Sequence, residues 1–337
     1  MSGTGASAGT EIRVGVIGCG DIARRVHIPG LRAAGARVTR FASLALGDAE
    51  SAAAESGDPD AMSTDDWRHV VASAHLDAVD ICTPNHLHAE MALAAVEAGK
   101  HVLVESPMAL TAAEADGLLK AAARKGVVLV PALSVRFIGP YAALVGAARD
   151  GRIGRVTDAE MAFGHAGPDV RNPAATWYLD AQRSGGGPLL ELGTAQVDLL
   201  RVATGSEPTE VSAVTLGRRG EVEERAEARV TFADGTTAQL RVGWAGVENE
   251  VVLRGTDGTL RLDARGAPLV EMADGSTEQV PLPQGAPTIE EVFVAAVARG
   301  EAPPVSAVDG RAAVATIAAA YESARTGAPV AVQAPRW

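Results

Sequence analysis

Arg13-Val14-Gly15-Val16-Ile17-Gly18-Cys19-Gly20-Asp21-Ile22-Ala23 is the stretch that decides the fold. A short apolar run ends on Gly-x-Gly, and a helical pattern over residues 21–34 follows at once. Strand, glycine turn and helix in that order open a dinucleotide-binding βαβ unit. Gly18 makes the tight turn, Gly20 lets the backbone approach a pyrophosphate, and the small Ala23 allows the helix close onto the sheet. The phosphates would rest on the helix N-terminal amides at Asp21 and Ile22. A lone Gly-x-Gly-x-x-Ala is a weak signal, so its weight comes from what surrounds it.

Outward from this loop, strand and helix patterns alternate. A strand at 37–42, a helix at 48–56 and a strand at 76–82 lead to the turn Thr83-Pro84-Asn85 and a helix from about 86 that stops at Gly99. A strand at 101–104 follows. Thr111 and Glu114 then form a capping box for a helix ending at Gly126, with a last strand at 127–130. This alternation predicts a doubly wound parallel sheet, a Rossmann domain over about 11–130. After about residue 150 the period changes to two. Segments 222–232 and 236–244 flank Ala233-Asp234-Gly235, and 249–254 and 259–263 flank Thr256-Asp257-Gly258. These predict a second α/β domain over 131–337, with an open, mostly antiparallel sheet that packs helices on one face and a partner subunit on the other. Helical stretches at 287–298 and 309–325 close it. Residues 1–10, small and polar, read as a floppy leader and not a signal peptide.

Composition narrows the function. Forty-two acidic against 30 basic residues give a net charge of -12, which argues against binding a nucleic-acid backbone. The two cysteines, Cys19 and Cys82, build no disulfide framework and sit in no metal-ligand spacing. No His/Asp/Glu cluster at ligand spacing appears, so no metal is expected. The longest apolar run, 126–135, is too short to span a bilayer. A cytoplasmic protein acting on a small molecule, without membrane or nucleic-acid partner, is the expectation.

The second strand of a dinucleotide domain ends in an acid for the ribose hydroxyls of NAD, roughly 20 residues past the glycines. Here that position is Ser43. Serine gives no bidentate acceptor and does not repel a 2′-phosphate, which favours NADP over NAD, although Leu44 and not a basic residue comes next. Arg24 or Arg25 could reach that phosphate, or be ordinary solvated arginines.

Val102-Leu103-Val104-Glu105-Ser106-Pro107-Met108 resembles the strand-end signature of the Gfo/Idh/MocA family of nicotinamide-dependent sugar and cyclitol oxidoreductases, in which Glu-Lys-Pro stands in the places of Glu105, Ser106 and Pro107. Thr83-Pro84-Asn85-His86-Leu87-His88, the run from Ser184 to Leu200, and the text from Asp309 to Gly327 are similar to the same family, so the resemblance covers residues 12–332. It implies a cofactor site lined by Thr83, Pro84, Asn85, His88 and Glu105 beside the nicotinamide ribose. Asn85 and His88 also have simpler readings, as a helix cap and a first-turn histidine. The resemblance further implies a lysine that polarises the substrate and a histidine that acts as general acid/base. Ser106 and Ala195 stand at those two places, while Glu191 takes the place of the family's aspartate one turn earlier. Glu191 is then the best candidate base, with Ser106, His165 and Tyr178 as further candidates; each also has a plainer reading, Ser106 as a small residue making room, His165 as a strand end and Tyr178 with Trp177 as a core wedge. Three functions stay open: an NAD(P)-linked oxidoreductase with an altered acid/base set, a redox-neutral lyase, hydrolase or isomerase, and a non-catalytic nucleotide or sugar binder. A homo-oligomer, dimer or tetramer, is expected through the second sheet.

Overall fold

The computed structural model describes residues 11–263 and 265–335; the expected leader at 1–10 lies outside them. The first unit runs β1 (Arg13–Ile17), α1 (Ile28–Ala33), β2 (Arg37–Ala42), α2 (Leu46–Ser56), β3 (Met62–Thr64), α3 (Trp67–Val71), β4 (Ala78–Ile81), α4 (His88–Glu97), β5 (His101–Val104), α5 (Ala112–Lys125) and β6 (Leu129–Pro131). Its six strands pair in parallel in the order β3-β2-β1-β4-β5-β6, the doubly wound order of a Rossmann sheet. Strand order reverses between β1 and β4, so Gly18 and Thr83 follow neighbouring strand ends at the switch point. β4 is buried along its whole length, as expected for a sheet covered on both faces.

Two elements had no sequence signal. Met62-Ser63-Thr64 carries no apolar alternation and is largely exposed; its extended backbone comes from pairing with β2. α3 is a single turn capped by Asp66, whose side chain accepts from the Arg68 amide at 3.0 Å. The strand read at 76–82 is shorter, 78–81.

The second unit comprises α6 (Gly139–Arg149), β7 (Val156–Gly164), the short turns α7 (Pro168–Arg171), α8 (Ala181–Ser184) and α9 (Pro188–Glu191), and α10 (Gly193–Thr204). β8 (Pro208–Leu216), β9 (Arg225–Phe232), β10 (Thr237–Gly243), β11 (Glu250–Gly255), β12 (Gly258–Leu262), β13 (Pro268–Met272) and β14 (Thr277–Gln279) follow. α11 (Ile289–Arg299), α12 (Ala307–Thr326) and β15 (Val330–Ala331) close the chain. The nine strands form one sheet in the order β14-β13-β12-β11-β7-β10-β9-β8-β15. It is mostly antiparallel, with one exception at its centre. β7 pairs antiparallel with β11 but parallel with β10, from Asp158 opposite Thr237 to Gly164 opposite Gly243. α6, α10 and α12 cover one face through Leu144, Val197, Leu200 and Ile317. The other face is polar: Arg254 reaches Asp158 at 2.8 Å and Glu160 at 2.7 Å, and Arg241 reaches Glu250 at 2.6 Å.

α11 and α12 return to the first unit. Ile289, Phe293, Val294 and Val305 share a core with Val14, Leu31 and Phe41. Arg311 Nε donates to Asp116 Oδ1 on α5 at 2.8 Å. No helix among the described residues is long and apolar enough to cross a membrane.

Candidate active site

The nucleotide loop is shaped by what a side chain would meet. Gly18 has φ +93°, and a Cβ there would stand 2.6 Å from the Cys82 carbonyl carbon, so glycine is required twice over. Its amide donates to the Ala42 carbonyl at 2.7 Å, tying the turn to β2. A Cβ on Gly20, by contrast, would meet nothing within 4 Å. The open space beside Gly20 and the first amides of a helix that have no carbonyl one turn back make the cradle a pyrophosphate fits. Asp21 pairs with Arg25 at 2.6 Å, and Ile22 is partly exposed beside it. Ser43 follows β2, half-buried, its amide donating to the Thr64 carbonyl at 3.2 Å; Leu44 beyond it is 94% exposed. Arg24 is bound to Glu55 by a bidentate pair through its Nε and Nη2.

Behind the loop a π-helical turn, Ala23–His27, rotates one histidine inward. His27 is 2% exposed and lies between two carboxylates, Nδ1 at 3.1 Å from Asp80 Oδ1 and Nε2 at 3.0 Å from Glu105 Oε1. Burial alone would disfavour its charge, but Asp80 outweighs that and holds the imidazole well above the ordinary histidine range. Glu105 is pushed up by burial and pulled down further by His27 and by the Ser106 amide, so its carboxyl lies below the usual range. Cys82 Sγ donates to Asp80 Oδ2 at 3.5 Å, and burial raises its thiol. Donor atoms of His27, Asp80 and Cys82 thus gather within 4.8 Å of one another, a cluster that no spacing in the sequence announces and that qualifies the expectation of no metal-ligand grouping.

Glu105 also sets the next turn. Its Oε2 accepts from the Ser106 amide at 2.8 Å, and the Ser106-Pro107 bond is cis. His88 is buried with Nδ1 at 2.8 Å from the Pro107 carbonyl and Nε2 at 2.6 Å from the Thr83 carbonyl, so it braces the two turns against each other. Burial lowers its pKa. Thr83 turns its hydroxyl to Met91 Sδ at 3.6 Å, and Pro84 precedes the helical turn that holds Asn85. Asn85 Nδ2 donates to the Ser184 carbonyl at 2.8 Å, binding this lip to the second unit.

Across the lip lies Glu191, the last residue of α9. The parallel pairing of β7 and β10 carries His165 and Trp244 out of the same sheet end, one residue past the matched pair Gly164 and Gly243. Both reach Glu191. Trp244 Nε1 donates to Oε2 at 2.7 Å, and His165 Nε2 lies 3.2 Å from each oxygen. The Gly167 amide donates to His165 Nδ1 at 2.9 Å, which leaves the proton on Nε2, pointed at the carboxylate. The side chains of His165 and Glu191 are 18% and 22% exposed, so both are open to the cleft. Tyr178 stacks on Trp177 with ring centroids 3.8 Å apart, in the loop between α7 and α8. Ala195 is partly buried against the core on α10, and there is no proton-bearing side chain at its place.

Two family models match the chain. One, described as the oxidoreductase family with an NAD-binding Rossmann fold, covers residues 12–133, and the other, the GFO/IDH/MocA C-terminal domain, covers 141–261. The chain belongs to the Gfo/Idh/MocA oxidoreductase family. Its six-stranded unit is an NAD-binding Rossmann domain. It is 32% identical to the 1,5-anhydro-D-fructose reductase of Ensifer adhaerens over 74% of each chain. With the D-xylose 1-dehydrogenase (NADP(+)) 2 of Haloferax volcanii it shares 29% identity over 94% of this chain and 98% of that one. A levoglucosan dehydrogenase solved in complex with NADH and levoglucosan superposes with a TM-score of 0.84 at 26% identity, covering 96% of this chain and 100% of the other.

Proposed function

We propose that the protein oxidises or reduces a sugar, cyclitol or related polyhydroxylated metabolite with a nicotinamide dinucleotide, and that Glu191 with His165 forms its acid/base pair. The observation that carries this is that Trp244 and His165 both hold Glu191. Trp244 fixes one oxygen, and a histidine of defined tautomer donates to the carboxylate at the mouth of the cleft. The bound nicotinamide supplies the hydride acceptor or donor. In the oxidative direction Glu191 takes the hydroxyl proton as the carbon–hydrogen bond gives up its hydride, leaving a carbonyl. His165 stabilises the carboxylate beforehand by donating its Nε2–H, and Glu191 then releases the proton it has taken to solvent at the mouth of the cleft. Ser106 contributes a hydroxyl where the family resemblance leads one to expect an ammonium, and Tyr178, stacked on Trp177, is a further candidate. The substrate class is supported by the relatives, which are named for anhydro-sugar and aldose chemistry.

Absorbance of the reduced nicotinamide over a panel of levoglucosan, 1,5-anhydro-D-fructose, D-xylose and myo-inositol tests the reading. Glu191→Gln keeps the shape and the Trp244 contact, so turnover on the best substrate should fall about 10²–10⁴-fold with cofactor affinity unchanged. Full activity in Glu191→Gln overturns the assignment.

A further inference from the structure

We infer that Glu223 and Tyr321 are positioning residues that aim Glu191. This rests on the reading of Glu191 as the proton carrier. α9 is a single turn beginning at Pro188, so it cannot hold its own orientation. Its free amides go to one buried carboxylate. Gly187 N donates to Glu223 Oε1 and Oε2 at 3.1 and 3.0 Å, and Leu189 N donates to Oε1 at 3.0 Å. Tyr321 Oη donates to the same Oε1 at 2.9 Å. The carboxylate caps the turn whose fourth residue is Glu191.

The glycine run follows from this clamp. A Cβ on Gly186 would lie 2.0 Å from Tyr321 Oη, one on Gly187 would lie 2.2 Å from the Glu223 carbonyl oxygen, and one on Gly185 would lie 2.4 Å from Leu110 Cδ2. Only a chain without side chains passes between them. Tyr321 belongs to α12, and eleven residues earlier on that helix Gly310 packs against Met108 and Pro131. A Cβ there would lie 2.6 Å from Met108 Sδ, two residues past Ser106. One straight helix, about 16 Å from Gly310 to Tyr321, therefore touches both the Ser106 turn and the Glu191 turn. Its register is pinned by Arg311 on Asp116.

The indole N–H of Trp244 reports where Glu191 sits, without any substrate. Of the four tryptophan side-chain resonances, the one lost in Trp244→Phe is followed by 15N–1H correlation in the full-length protein. Glu191→Gln should move it upfield by weakening the charged acceptor. Glu223→Gln and Tyr321→Phe, which act through the Gly187 and Leu189 amides, should move it the same way, with faster hydrogen exchange at that indole; because the Glu224 carbonyl accepts from the Trp244 amide at 3.0 Å, Tyr321→Phe is the arm that leaves that strand contact alone. If Glu223→Gln does not fold, Tyr321→Phe alone carries the test, since it removes one donor and leaves the carboxylate in place. A resonance unmoved in the folded variants while Glu191→Gln shifts it overturns the inference, and so does a resonance that Glu191→Gln itself leaves in place. Turnover of Glu191→Gln reports separately on the catalytic reading, so the two can fail independently.

Discussion

At the scale of single residues the least visible group in the sequence is the most constrained in the fold. His27 reads as one polar position in an amphipathic helix, and nothing in its neighbours announces two carboxylates. Those arrive from β4 and from the end of β5, through topology. Its raised pKa makes a stability prediction. A group whose folded pKa is raised contributes stability that is complete below the unfolded value, about 6.5 for histidine, and is lost as pH rises through the folded value. Glu105 has the opposite sign: held low, it contributes above about pH 4.3 and loses that contribution as pH falls through its folded value. The pairing is therefore strongest between about pH 4.5 and 6.5. His27→Gln should lower the melting temperature most at pH 6, in keeping with the about 3–5 kcal/mol of a broken buried pair, and the gap to wild type should narrow at pH 10. A gap that is constant across pH would show that the imidazole serves packing alone.

At the scale of elements the nucleotide loop was legible and the corner around Glu191 was not. Gly18 and Gly20 announce themselves because backbone conformation and ligand approach each demand glycine at a fixed spacing. They differ in the fold, which separates their effects. Gly20→Val puts its side chain into open space and should leave the melting temperature nearly unchanged while abolishing NADPH and NADH binding, followed by cofactor fluorescence. Wild type should bind NADPH more tightly, since Ser43 does not repel a 2′-phosphate. A tenfold preference for NADH, about 1.4 kcal/mol, would sink that reading of Ser43, and equal binding by Gly20→Val would remove the loop as the site. His165 and Trp244 illustrate the opposite case. Period-two patterning gives strands but not their directions, and an all-antiparallel reading sends these two side chains to opposite ends. Only the parallel β7–β10 pairing puts both on Glu191. Glu223 was equally hidden, lying ahead of β9 with no partner nearby in sequence.

At the scale of the molecule the alternation of βαβ units and the later change to period two foretold both sheets, and the helices returning across them were the unread part. The polar face of the nine-stranded sheet bears matched charges, Arg254 between Asp158 and Glu160 and Arg241 beside Glu250. We propose that a second subunit covers this face. Light scattering at micromolar concentration should give a dimer or tetramer, and a mass of one chain throughout would refute it. The return of α11 has a consequence for how the protein is made. Phe293 and Ile289 complete the apolar core beneath β1 and β2, yet about 160 residues separate them from the end of β6. At ribosomal speeds of about 5–20 residues per second, the Rossmann sheet waits roughly ten to thirty seconds with an unfilled groove along α1. The core of the first domain is thus completed only once α11 has been made.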